Sequence, residues 1–221
     1  MNKATGKAAG KRPAPSRRSE TPKRPGTIPE PLDAAEKSAA ELDGIIRKFL
    51  QTRRSVLDAA GEAIAARLRA GGKVLVFGNG GSAAEAQHFA AELVNGLSRR
   101  DRPALPAIAL TTDTSCLTAV GNDRGFDHLF SRQIEALGKA GDVALALTTS
   151  GASPNVVAGL QTARAAGLIT VVLSGDNEGA VAPLADFLLD VPSCSTPRIQ
   201  EAHLFLLHRV ARQLEDTGDR S

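Results

Sequence analysis

Three groups of residues in this chain have the types and spacing for chemistry, and two of them are turns. Val76-Phe77-Gly78-Asn79-Gly80-Gly81-Ser82 and Leu147-Thr148-Thr149-Ser150-Gly151-Ala152-Ser153 each end a short apolar run and open a helical pattern. Glycine lets backbone N–H groups approach an anion closely, and Ser or Thr hydroxyls add donors beside them. At a helix start those groups also meet the positive end of its dipole, so a phosphate is the natural occupant. Neither turn is a Walker loop, which needs Gly-Lys-Ser/Thr, and Ala83 breaks the dinucleotide Gly-x-Gly-x-x-Gly pattern. Two such turns in one chain point to a phosphate site. Two ordinary capped helices would carry the same residues.

The third group is His88 and Glu92, four residues apart in a helical pattern. That spacing sets them about 40° apart on one helix face. Far downstream, Gln200, His203 and His208 share the last helical pattern. Imidazole and carboxylate together suit zinc or another divalent ion, while a solvated surface pair has the same spacing. Gln200 and His208 stand eight residues apart, roughly 12 Å along a helix, yet zinc ligands lie about 2 Å from their ion. Both reach one ion only if the helix is irregular at Gln200 or if a neighbouring subunit supplies one of them. His203 lies about 140° from His208 around the helix and suits packing; His128 has no chemical role in this reading. Asp113, Arg132 and Glu201 are candidates for supporting groups or ion pairs. Val120-Gly121-Asn122-Asp123-Arg124-Gly125-Phe126 reads as a polar loop directly before a helix, apt for hydrogen-bonding a polyol or simply a connection.

These groups need a scaffold, and the apolar pattern predicts one. From Pro31, Leu42, Ile45, Ile46 and Phe49 and then Val56, Leu57, Ala60, Ile64 and Leu68 form a stripe at helical spacing, ended by Gly71-Gly72. Two helices, or one long bent one, therefore occupy 31–72. Strands are expected at Lys73–Phe77, Pro106–Leu110, Asp142–Leu147, Leu168–Leu173 and Asp186–Val191. Helices are expected at Ser82–Leu97, Asp127–Ala140, from Ser153 to Ala166, and at Pro197–Leu214. Short apolar strands alternating with helices predict an α/β fold, a five-stranded parallel sheet covered on both faces.

Composition narrows the class. The chain of 221 residues suits one well-buried domain. Seven Phe are its only aromatics, so the core rests on Ala, Leu, Val and Ile, and base-stacking platforms are not expected. Eight Lys and Arg against Glu20 crowd residues 1–24, giving that stretch +7 where the whole chain carries +3. Residues 1–30 hold almost no bulky apolar side chain and are expected to be a disordered basic tail, able at most to attract an acidic partner or nucleic acid weakly. Cys116 and Cys194 form no disulfide framework. With no signal-peptide pattern and no apolar run near the ~20 residues that span a bilayer, a cytoplasmic location is expected.

The motifs together resemble the SIS-domain sedoheptulose-7-phosphate isomerases. The strings Gly78-Asn79-Gly80-Gly81-Ser82, Gln87-His88-Phe89-Ala90-Ala91-Glu92-Leu93, Gly121-Asn122-Asp123, Thr149-Ser150-Gly151-Ala152-Ser153 and Arg198-Ile199-Gln200-Glu201 occur in that family's order, over about residues 35–215. Thr148 keeps the hydroxyl where Ser is common, while Pro197 and Gly96 stand where Asp and Arg are often found. The resemblance implies a flavodoxin-like three-layer SIS domain at 73–216, with the 31–72 helical segment packing on it or on a neighbouring subunit. It implies an aldose–ketose isomerase converting sedoheptulose 7-phosphate to D-glycero-D-manno-heptose 7-phosphate through an enediol, and a homo-oligomer, in the family a tetramer. Zinc would be held by His88, Glu92, Gln200 and His208. Glu92 would be the general base and His208 its acid–base partner. The phosphate would rest on Thr148, Thr149, Ser150 and Ser153, and the sugar on Asn79, Gly80, Gly81, Ser82, Glu92, Asn122, Asp123 and Gln200. Enediol chemistry asks for such a division, one group for a carbon-bound proton and another for the oxygens.

Two other readings share the fold. Relatives that bind the replication initiator DnaA carry a similar Gln-His-Phe-Ala-Ala string but typically lack the residues at Glu92 and His208. Sugar-phosphate-sensing regulators usually carry a folded DNA-binding module, which a basic tail is not.

Overall fold

In the computed structural model, which describes residues 32–99, 101–176 and 179–217, the chain alternates strand and helix as the apolar pattern requires. The tail expected at 1–30 lies outside the described residues. A single helix, α1 (Leu32–Arg69), covers the first stripe with 38 residues. Then follow β1 (Val74–Gly78), α2 (Gly81–Asn95), β2 (Ala107–Ala109), α3 (Thr114–Asp123), a one-turn 3₁₀ segment at Phe126–His128 and α4 (Leu129–Leu137). The second half runs β3 (Val143–Leu147), α5 (Pro154–Ala165), β4 (Ile169–Ser174), β5 (Phe187–Asp190) and α6 (Thr196–Thr217).

All five strands are parallel, in the order β2-β1-β3-β4-β5. Alternate side chains of each strand face opposite layers. Val74 and Val76 of β1 join a core with α1, α2 and α6, whereas Leu75 and Phe77 join a second core with α3, α4 and α5. The result is a three-layer sandwich of the 2-1-3-4-5 order. Sheet growth reverses at β1, between β2 and β3, and the carboxyl ends of β1 and β3 form the crevice where such folds bind ligands. Both candidate turns leave from those two strand ends.

One element departs from expectation. The stretch read as a polar loop through Asn122 and Asp123 is largely helix: α3 includes both residues in its last turn. Its start is fixed by Asp113, whose carboxylate accepts the Cys116 N–H at 2.9 Å. That N-cap was the overlooked signal. It also gives Asp113 a structural duty.

The long α1 is tied to the rest of the chain near its start and at its middle. Arg198 Nη1 donates to the Ser38 carbonyl at 2.7 Å, and Arg53 binds Asp190 of β5 through two bonds of 2.8 and 3.0 Å. Phe49, Leu57, Ala60 and Ile64 of the same helix are buried against α6 and the sheet. Within α6, His203 is fully buried and its Nε2 meets the Ser174 carbonyl at 3.2 Å. Burial pushes its pKa down from 6.5 to about 4. The unfolded chain therefore binds the extra proton between those values, and stability falls as pH drops from 6.5 through 4. Lowering pH from 7.5 to 4.5 should cost roughly 2–3 kcal/mol at this one residue, so the His203→Gln variant should lose less on acidification in urea unfolding at the two pH values.

Candidate active site

The two turns meet at the β1–β3 crevice. Asn79 and Asn155 exchange side-chain amide bonds across it, at 2.8 and 2.9 Å. Asn155 is almost wholly buried, and sequence reading missed it because nothing distinguishes an Asn in a helix's first turn from a solvated one. Gly80 takes φ +58, where a side chain would be strained. Gly81 packs so tightly on α6 that an added Cβ would fall within 3 Å of the Gln200 amide. In the second turn the Thr148 hydroxyl accepts the Gly151 N–H at 3.2 Å, and Ser150 Oγ accepts from Ala152 at 3.3 Å. A cleft of about 50 Å³ opens between the turns, lined by Asn79, Ser82, Leu147, Thr148, Thr149, Ser153 and Gln200. Hydroxyls and amides dominate it, and no carboxylate among the described residues lines it. That is a cleft for an anion.

His88, Glu92 and His208 come together elsewhere. α2 and α6 lie side by side on one face of the sheet, Gly81 against Gln200 near their starts. Farther along, Glu92 Oε1 lies 2.9 Å from His88 Nε2 and 3.2 Å from His208 Nε2, and the two imidazole nitrogens are 2.9 Å apart. Glu92 is buried, and its other oxygen, Oε2, has no hydrogen-bond partner. The imidazoles are partly open to solvent.

This triangle fits a cation better than a proton. One Nε2–H could bridge the two imidazoles, or one imidazole and Glu92 Oε1, but a single proton cannot serve all three atoms, whereas three lone pairs converging on one point are what a metal ion needs. Ligand atoms of a tetrahedral zinc stand roughly 3.3 Å apart, close to the three separations found. Among the described residues, this is the cluster of His, Cys, Asp and Glu able to hold a metal ion.

Gln200 does not join the triangle within this chain. α6 is an unbroken helix from Thr196 to Thr217, which removes the irregularity that would have let Gln200 and His208 converge. About 12 Å of helix separates them, and Gln200 instead lines the anion cleft. Likewise, Ser82 at the cleft and Glu92 in the triangle are ten residues apart on α2, about 15 Å. Cleft and triangle are thus neighbours on the same two helices, not one cavity of one chain. Asn122 and Asp123 stand at the exposed end of α3, bonded to each other at 2.7 Å. Arg132 and Glu201 form exposed helical ion pairs with Glu135 and Arg198.

A parallel 2-1-3-4-5 sheet with polar turns at its crevice serves many ligand-binding proteins; here residues 39–175 match the SIS domain family, the sugar isomerase domain. A phosphoheptose isomerase of Burkholderia pseudomallei is 52% identical over 168 residues, covering 76% of this chain and 83% of that protein. Solved structures of phosphoheptose isomerases from Neisseria gonorrhoeae (40% identity, TM-score 0.78, 83% of this chain and 98% of that one) and Francisella tularensis (35%, 0.80, 84% and 98%) superpose on it. The chain belongs to the phosphoheptose isomerase family.

One buried acid on the same face escaped the sequence reading. Glu85, between Gly81 and His88 on α2, is buried with Oε2 unpartnered. Burial raises its pKa from 4.5 to about 7, with a bond from Ser82 opposing the shift. The folded state holds that proton more tightly, so the stabilisation is complete below pH 4.5 and is lost as pH rises through 7. Glu85→Gln should therefore gain less than about 1 kcal/mol over the parent at pH 5 and about 3 kcal/mol at pH 8.5, read from unfolding midpoints at both.

Proposed function

We propose that the chain interconverts sedoheptulose 7-phosphate and D-glycero-D-manno-heptose 7-phosphate by proton transfer through an enediol, in heptose biosynthesis. The observation that carries this reading is the contact of one Glu92 oxygen with both His88 and His208. Phosphoheptose isomerases related over most of this chain support it. The adaptor reading, in which the chain binds DnaA without turnover, rests on the loss of the residues at Glu92 and His208, and here both are present and touching.

In the reaction Glu92 takes the proton from C1 of the ketose and returns it to C2. His208 carries the proton that moves between the two substrate oxygens, a role open to it while Nε2 is not engaged by a cation. Thr148, Thr149, Ser150 and Ser153 hold the phosphate, and Asn79, Gly80, Gly81, Ser82, Asn122, Asp123 and Gln200 contact the sugar. When one zinc ion is bound, His88, Glu92 and His208 would hold it, leaving Glu92 Oε2 for the carbon-bound proton, and its charge would take the place of the His208 proton in stabilising the oxyanion that develops as the enediol forms.

The 12–15 Å between triangle and cleft argues for a homo-oligomer, a tetramer by family resemblance. In it the triangle of one chain faces the cleft and Gln200 of a neighbour, and Gln200 becomes the fourth ligand. Among the described residues no helix is long and apolar enough to cross a membrane; the cytoplasmic location is part of this proposal.

The purified protein incubated with sedoheptulose 7-phosphate should produce a new aldose phosphate. Glu92→Gln should lower kcat by roughly 10²–10⁴-fold while sugar-phosphate binding persists. Firm DnaA binding without turnover would favour the adaptor instead. Elemental analysis should find about one divalent ion per chain, and a metal-free protein whose activity ignores chelators would remove the ion from the account.

A further inference from the structure

The loop after α2 returns a buried cation to the residue that bears the candidate base. Arg102 Nη2 donates to the backbone carbonyl of Glu92 at 2.7 Å and to that of Leu93 at 2.9 Å, and Nη1 donates to the Pro103 carbonyl at 2.8 Å. The Glu92 carbonyl already accepts the Gly96 N–H at 2.8 Å and the Leu93 carbonyl the Leu105 N–H at 3.0 Å, so Arg102 adds a charged second donor to each at the negative end of the helix dipole. A guanidinium fork is suited to take two such carbonyls at once.

Behind Arg102 stands Glu215, near the end of α6. Its Oε1 lies 3.5 Å from Arg102 Nε and accepts the N–H groups of Leu97, Ser98 and Arg99 at 2.8–3.2 Å. Both side chains are almost sealed from solvent, 7% and 1% exposed. Glu215 follows His208 by seven residues, two turns along α6 and about 20° around it. One buried ion pair therefore ties the α2 backbone at Glu92 to the helix that carries His208.

We propose that Arg102, braced by Glu215, is a positioning residue that holds Glu92 in register with His208 across the α2–α6 seam. This rests on the reading of the triangle as the reacting and metal-holding group. A buried pair of this kind is often no more stabilising than apolar replacements would be, which accords with its serving geometry. The side chains of His88, Glu92 and His208 are not themselves touched by the clasp, so its loss should leave the reacting groups present but misaligned.

The test is Arg102→Ala, with Glu215→Gln as a milder second variant should the first not fold. Each is measured for kcat, KM, zinc affinity by chelator competition, and crystal structure. The proposal expects kcat to fall roughly ten- to hundredfold with KM for the sugar phosphate within about twofold, since a 1 Å displacement suffices for such losses. Zinc should bind roughly tenfold more weakly, and added guanidinium should restore part of the Arg102→Ala rate. The variant's crystal structure should show Glu92 Oε1 drawn away from His208 Nε2. A folded variant with parental kcat, zinc affinity and Glu92–His208 separation overturns the proposal. If the parent protein itself neither turns over nor binds zinc, the functional reading fails, and the clasp stands or falls on that separation alone.

Discussion

Two imidazole nitrogens converge on one buried carboxylate oxygen, and the rest of the molecule can be understood as the apparatus that makes this meeting possible. Glu92 and His208 are 116 residues apart, on helices that follow the first and the last strands of the sheet. They touch only because α2 and α6 lie side by side on one face. Small residues permit that approach: with any side chain at Gly81, Gln200 would have to move. The sheet order sets the neighbours, and the apolar core between α1, α2, α6 and one face of the strands fixes the seam.

The fold separates what the chemistry must unite. An anion cleft at the carboxyl ends of β1 and β3 follows from helix starts and strand ends, as in other parallel sheets of this order. The triangle lies far along the same helices, nearer their other ends. A chain that builds both but holds them about 15 Å apart along a helix is the reason for proposing that neighbouring copies share a site. Gln200 belongs to the cleft by position and to the metal set by resemblance, and the proposed second chain would reconcile the two.

Much of this was legible beforehand. All five strands and the glycine and hydroxyl turns were readable because buried parallel strands are short unbroken apolar runs and turns carry their own residue types. The pairing of His88 with Glu92 followed from helical spacing. The meeting with His208 did not, since periodicity within a helix says nothing about which helix lies beside it; only the family resemblance joined them. α3 was missed because its weak apolar pattern, Cys116, Leu117 and Val120, is interrupted by polar and glycine residues, and its cap at Asp113 went unread. Asn155, Glu85 and the Arg102–Glu215 pair share another reason: each is an ordinary polar residue in sequence, singled out only by the burial that tertiary packing imposes.

The account's central claim, that a carboxylate moves a carbon-bound proton in partnership with an imidazole, is open to one direct measurement. Sedoheptulose 7-phosphate turned over in D₂O should yield aldose phosphate carrying solvent deuterium at C2, because a proton held on Glu92 exchanges with solvent before its return. Product free of solvent deuterium at every stage of conversion, with a C1 label transferred intact to C2, would contradict it and point to direct hydride migration.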